Sequence, residues 1–482
     1  MSIILCIHTA IMIDFIIYIR RLYAMGKTDD LEEIARRFPF KYVEVRHQEI
    51  RSRVISLMNG ELLGVYEEVE RGYAVRYFNQ GLFFVSSQEA DKLTPSPERI
   101  EGWSKDLLDV QPVSGNYEVQ EREPLDSMGV EEKISLLKDI SKEVLSQKIS
   151  SKLQNMVLTY AESVESKEVL VNGARVVGRI PRVQVTYNIV MSGNGRTITA
   201  WHEIGGSGGI EQIKELRVTE HLTERVKALD HVLQKGKGIS PGKRDVVLSP
   251  ILSGIMAHES VGHPFEADRV MGREFAQAGS SYLSYLSLKQ IGNPAVNVAD
   301  DPTIQGGMGY YLIDDEGVRA RRKLLIKGGE VNELLQNRFT SRKSNLPSNG
   351  SSRASSFDRE PLIRMSNTFF VPGDMNFREL IEDVKEGIYL KTYMEWNIDD
   401  MRMGQRYIGL EAFQIKNGEI GDPVLYPVLE GKTTEFLMAI DAVDDSFELF
   451  PGTCGKGDPD QGIPVSMGGP NMRLRNVMIK VI

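Results

Sequence analysis

Between Gln234 and Lys243 the chain reads QKGKGISPGK, with Ile239 its only large apolar side chain. Such a stretch can join packed elements but cannot supply one, so it is the best dividing point in the sequence. At 482 residues the chain exceeds one ordinary core. The expectation is therefore two domains, 25–234 and 244–482, joined by a linker at 235–243.

On the N-terminal side, Asp29–Arg37 is acidic and helix-favouring. KYVEVRHQEI, RSRVISLMNGE and ELLGVYEEVERGYAVRYF then alternate apolar and polar residues, the mark of antiparallel strands broken by turns at MNGE and NQG. Apolar residues at helical spacing predict two helices over Gly129–Ser166. RVQVTYNIVMSG and GRTITAWHEIGG return to strand patterns, and Ile210–Leu233 reads as one long amphipathic helix. Beyond the linker come a strand (RDVVLSP), a helical segment and a Gly-rich region of short strands. A hairpin turning at NGE (Asn417–Glu419) and a helix in KTTEFLMAIDAV follow. The fold class is α+β, an N-terminal sheet-plus-helices domain and a C-terminal strand-rich, Gly-rich domain.

The first 24 residues stand apart. Ile3–Ile19 is apolar and followed by Arg20 and Arg21, yet it carries Asp14 near its middle, costly in lipid. No basic residue precedes the run, which makes a poor signal peptide. The primary reading places the native start at Met25, with membrane anchoring by 3–19 as the alternative. Both leave the remainder in the cytoplasm. The net charge of -9 argues against a nucleic-acid partner. The cysteines, Cys6 and Cys454, are too few for a disulfide framework.

The chemistry concentrates in GIMAHESVGHPFEADRV. His258, Glu259 and His263 form H-E-x-x-x-H, one residue longer than the helical H-E-x-x-H of zinc peptidases. On a regular helix, residues five apart diverge by about 140°. Gly262 and Pro264 supply a reason for the helix to break or bulge at Ser260–His263, swinging His263 back over His258. Glu259 is then placed to act as a base. A catalytic zinc needs a third protein ligand, and Cys454 in PGTCGKG is the first candidate. Glu266 and Asp268 are the rivals, or partners that orient an imidazole. His202, His221 and His231 lack partners at ligand spacing and read as ordinary surface or interface residues. The polar stretch Ser341–Arg364 is either a lid or a surface loop. The glycine-rich segments Gly306–Tyr311 and around Cys454, read among short strands, are candidate edges for an extended peptide.

HESVGHPFEAD, DDPTIQGGMGYYLIDDEG (Asp300–Gly317), SNTFFVPGD (Ser366–Asp374) and PGTCGKGDPDQGIPVSMGGP occur in the order found in the TldD/PmbA proteins. From about Met25 onward the chain resembles the TldD-like catalytic branch of that family. The resemblance implies a cytoplasmic metallopeptidase holding one zinc by His258, His263 and Cys454, with Glu259 as base. It also implies a dimer, either of two copies or with a PmbA/TldE-like subunit that lacks the metal motif, acting on small peptides or unfolded segments. The rivals to this expectation are a metal-free scaffold subunit, a structural zinc site and a zinc amidohydrolase acting on non-peptide substrates. Zinc is the default metal, although a His2Cys set can also take iron or cobalt.

Overall fold

Four Asn-Gly pairs set hairpins in this chain. Asn59-Gly60, Asn172-Gly173, Asn194-Gly195 and Asn417-Gly418 all have positive φ at both residues, the backbone a two-residue turn needs to match the twist of its strands. The computed structural model describes residues 31–100, 111–273 and 280–481. The apolar run at 3–19 and Cys6 lie outside them. No helix among the described residues is long and apolar enough to cross a membrane.

Three of the turns build one sheet. Its strands are β1 (Tyr42–Met58), β2 (Glu61–Phe78), β3 (Leu82–Ser87), β4 (Arg99–Ile100), β5 (Gly115–Glu118), β6 (Lys152–Val171), β7 (Ala174–Gly193) and β8 (Arg196–Ser207). The order is β4-β3-β2-β1-β6-β7, with β5 and β8 both on β7. All pairings are antiparallel except β5 with β7. Helices Val130–Leu145 and Val218–Lys235 cover one face. Leu137, Ile140, Leu222, Val226 and Leu229 pack there against Leu158, Tyr160, Val185 and Tyr187.

Two helical expectations fail here. Only the first of the two helices expected over Gly129–Ser166 forms. The residues after it are strand β6, in which Met156, Leu158, Tyr160 and Glu162 turn inward with a period of two. Pairing with β1 on one side and β7 on the other outweighs the weak helical spacing. The long helix from Ile210 breaks at Arg217 (φ 48°) into Glu211–Glu215 and Val218–Lys235. The segment after Lys235 is tied down, since the Lys237 amide donates to Pro423 O and its carbonyl accepts from Leu425 N.

Past Gly242 the chain forms two further extended sheets, of nine and six strands. The nine-stranded sheet is built around Met472–Val481, Gly242–Leu248 and Glu386–Leu390. The six-stranded one includes Val298–Asp300, Asn367–Phe370, Ile463–Gly469 and Glu448–Cys454. Helix Pro250–Met256 is wholly buried against them. Gly254 allows this packing, because a Cβ there would lie 2.6 Å from the amide of Gly468.

Buried ion pairs join the N-terminal sheet to this body. Arg76 bridges Glu44 and Glu316, both at 2.7 Å, and Lys167 reaches Asp315 at 3.0 Å. Of residues 341–364, Arg342 and 345–347 are exposed, but from Ser348 onward most of the segment is packed into that body. Ser351, Ser352, Ile363 and Arg364 are fully buried, and short strands Ser352–Arg353 and Leu362–Ile363 pair with each other. Their polarity is spent on internal hydrogen bonds, as where Arg364 donates to the carbonyls of Gln461 and Cys454. Gly306–Tyr311 forms turns, not a strand, so it offers no edge for a peptide to extend.

Candidate metal centre

The helix that begins at Pro250 widens at Ala257 into a π-helical turn over Ala257–Gly262, and a 3-10 turn, His263–Phe265, ends it. The His263 amide donates to His258 O, five residues back. That wider turn brings residues i and i+5 to one face, which the regular helix denies them. The imidazoles of His258 and His263 are buried with ring centroids 5.0 Å apart.

Three neighbours stabilise the irregular turn. Tyr282 Oη donates to Ser260 O at 2.8 Å, pairing a carbonyl in the disrupted ladder. Ser281 Oγ donates to Pro264 O at 2.9 Å. Met365 packs so closely on Gly262 that a Cβ there would lie 1.8 Å from its sulfur. A larger residue at this position would have to displace the Met365 side chain.

Strand Glu448–Cys454, paired with Ile463–Gly469, delivers the third group. Cys454 Sγ lies 3.4 Å from His263 Nε2. One ligand-type atom from each of His258, His263 and Cys454 falls within 4.8 Å of the others. Burial raises the Cys454 thiol, but His263, Arg364 and His258 outweigh it and hold the group well below its ordinary range. Burial lowers His263, while Cys454 and Glu266 raise it on balance. His258 Nδ1 is buried without a hydrogen-bond partner among the described residues. An acidic thiol beside an unsatisfied buried imidazole nitrogen is a donor set that fits a zinc ion.

Glu266 and Asp268 stand behind this triad. Glu266 Oε2 meets His263 Nδ1 at 3.2 Å, the contact that turns the Nε2 side toward Cys454. Burial raises the Glu266 carboxyl, but Lys456 and His263 overcome it and hold it far below its usual range. Lys456 is fully buried, 3.3 Å from Glu266 and 2.8 Å from Asp268.

Glu259 points to a residue that spacing could not reveal. Its Oε2 accepts from Arg402 Nη1 at 2.6 Å, across 143 positions of sequence. Arg402, Tyr282 and Met365 carry no motif, and only the fold brings them here; Lys456 lies two residues past Cys454 in the PGTCGKG segment. The other histidines lie elsewhere. His231 is exposed, but His202, expected as surface or interface, is buried beside His221, Tyr187 and Phe450. Tyr187 Oη contacts His221 Nε2 at 3.1 Å, so the helix histidine packs onto the strand face that also carries His202.

Comparison with known proteins matches most of the chain. Residues 241–481 match the PmbA/TldA metallopeptidase C-terminal domain, 123–230 its central domain and 43–102 its domain 1. A metalloprotease of Methanocaldococcus jannaschii is 32% identical over 90% of this chain and 95% of its own length. A zinc metalloprotease TldD homolog of Saccharolobus solfataricus is 33% identical over 52% of this chain and 54% of its own. The crystal structure of TldE from Thermococcus kodakarensis shares the fold, with a TM-score of 0.66 at 14% identity, covering 93% of this chain and 98% of that one.

Proposed function

This chain belongs to the PmbA/TldD metallopeptidase family, and on that premise we propose that it is a zinc-dependent peptidase with the zinc held by His258, His263 and Cys454. The observation that supports the reading is the π-turn, whose two histidines lie with the thiol of a strand nearly two hundred residues away inside one ligand-sized cluster.

Bound there, zinc supplies Lewis acidity for a peptide carbonyl and lowers the pKa of the attacking water. The chain's own groups do the rest. Glu259, beside the first ligand, accepts the proton of the water as its oxygen bonds to the carbonyl carbon. It then delivers that proton to the amine as the C–N bond breaks. Glu266 fixes the His263 ring through Nδ1, leaving Nε2 for the metal. A thiolate donates more charge than an imidazole, so the site has modest electrophilic power and turnover is correspondingly modest.

The substrates in this reading are small peptides and unfolded segments. The working unit is a dimer with a second copy or with a PmbA/TldE-like subunit. Support for a partner comes from β2, whose first half has no strand on its outer side among the described residues and exposes Leu63, Tyr66 and Val69.

The test is metal content and cleavage of an unstructured peptide by wild type, Glu259→Gln and Cys454→Ala. The expected result is about one zinc in wild type and Glu259→Gln, less in Cys454→Ala, and cleavage by wild type alone. Full zinc in Cys454→Ala would remove the thiol from the ligand set, and undiminished cleavage by Glu259→Gln would remove the base.

A further inference from the structure

Arg402 lies in the turn between strands Tyr393–Ile398 and Gly404–Gly409, with φ of 62°. An arginine is held in that conformation only when its surroundings insist on it, and such positions cluster where function needs them. Here the surroundings are explicit. The Arg402 amide donates to Asp399 O at 2.9 Å, and its carbonyl accepts from Thr433 Oγ1 at 2.7 Å. The adjacent Met401 carbonyl accepts from the Tyr282 amide at 3.1 Å. Tyr282 is also the residue whose hydroxyl supports the π-turn at Ser260. One tyrosine therefore fastens the turn carrying Arg402 to the turn carrying the histidines. From that mounting the buried Arg402 side chain reaches Glu259 with its guanidinium.

Charge gives this placement a purpose. A thiolate ligand and the Glu259 carboxylate together neutralise a divalent ion, and two imidazoles add nothing. Of the other cations near the thiol, Lys456 is paired with Glu266 and Asp268, and Arg364 donates to the backbone carbonyls of Gln461 and Cys454, so neither pairs with Glu259. Arg402 supplies a positive charge there, with planar donors suited to an oxygen anion.

We propose that Arg402 is a catalytic residue of the peptidase, donating from its guanidinium to the carbonyl oxygen as that oxygen becomes an anion. The inference rests on the peptidase reading above. In the resting enzyme the guanidinium is engaged by Glu259. As water adds to the carbonyl carbon, Glu259 takes up the proton and loses its negative charge, while the substrate oxygen gains one. The favoured partner of Arg402 thereby passes from the base to the substrate. When the C–N bond breaks and the proton leaves with the amine, the Glu259–Arg402 pair re-forms. No atom or charge is left over, and the same pairing that orients the base also resets it.

The experiment uses the full chain with Arg402→Lys and Arg402→Ala, a peptide substrate with a blocked C-terminus, and a phosphinic peptide that mimics the tetrahedral state. The expected result is unchanged zinc content and a kcat lower by about 10²–10³-fold in Arg402→Ala, with KM nearly constant. Phosphinic-peptide affinity, measured by calorimetry, falls by a comparable factor while affinity for product peptide does not. Added guanidinium restores part of the activity of Arg402→Ala. A raised KM with intact kcat would make Arg402 a substrate anchor and overturn the proposal, as would a raised kcat, which would make it a brake. Equal phosphinic affinity in wild type and both variants overturns it independently of turnover. Failure of the underlying reading looks different: wild-type protein that holds zinc and takes the phosphinic peptide, yet cleaves no peptide.

Discussion

Gly262→Ala is a small change with a large expected effect. The φ of this glycine is -53°, so alanine fits the backbone, and by helix propensity alone it would stabilise by about 1 kcal/mol. Packing reverses the sign. The new Cβ would sit 1.8 Å from Met365 Sδ, and 3.1 and 3.3 Å from its Cγ and Cε. An ordinary contact is about 3.5–4 Å, so the sulfur must retreat by about 2 Å. Met365 is fully buried, and the next residue is anchored by hydrogen bonds from the Ser366 amide and hydroxyl to Asp300, both 2.7 Å. Overpacking of this kind costs about 1–3 kcal/mol. Part of the strain should fall on the π-turn, separating His258 from His263, with zinc affinity lower by about 10–100-fold, as for other losses of ligand orientation. The assay is a double-mutant cycle with Met365→Ala, reading the urea midpoint of the metal-free protein and zinc affinity by chelator competition. Gly262→Ala/Met365→Ala should be more stable than the two single changes predict, with a coupling of about 1 kcal/mol or more. Wild-type stability and zinc affinity in Gly262→Ala alone would refute the argument.

Two further outcomes follow from the buried charges. Lys456→Met leaves Glu266 and Asp268 without their shared cation and should cost about 3–5 kcal/mol, read as a lower urea midpoint; a shift worth under about 1 kcal/mol would show that the carboxylates have other support. Burial raises the Glu203 carboxyl to about 7, so the fold favours its neutral form. Its stabilisation is complete below the ordinary carboxylate pKa and is lost as pH rises through about 7. Relative to wild type, Glu203→Gln should therefore gain about 2–3 kcal/mol of stability between pH 5 and pH 8, and parallel pH profiles would contradict this.

The ease of reading differed between local and long-range features. Asn-Gly turns announce hairpins because only a few residues tolerate the backbone they need, and NGE at Asn417 is one of these. The same signal at Asn172-Gly173 was outweighed by a helical spacing that β6 does not obey. The bulge between His258 and His263 was legible because five-residue spacing, a glycine and a proline all oppose a regular helix. It starts at Ala257, earlier than the Ser260 expected. Polarity misled at 348–364, where serines, asparagines and arginines satisfy one another indoors. It misled again at His202, which sits on an inward strand face. Arg402 and Tyr282 left no sequence trace, and Lys456, though inside PGTCGKG, gave no sign of its buried partners, since an ion pair between distant residues has no spacing to read.

The order in which the centre is made has its own consequence. His263 and Cys454 are separated by 191 positions, and at about 5–20 residues per second roughly 10–40 s pass between their syntheses. During that interval the histidines, the base and even Arg402 already exist on the nascent chain, but the thiol does not. The strand that carries it is third from the end among the described elements. Metal capture in the proposed site is therefore a late event of biogenesis. A growing or prematurely ended chain, with its unfolded segments exposed beside the ribosome, lacks a complete centre with which to cut itself or its neighbours.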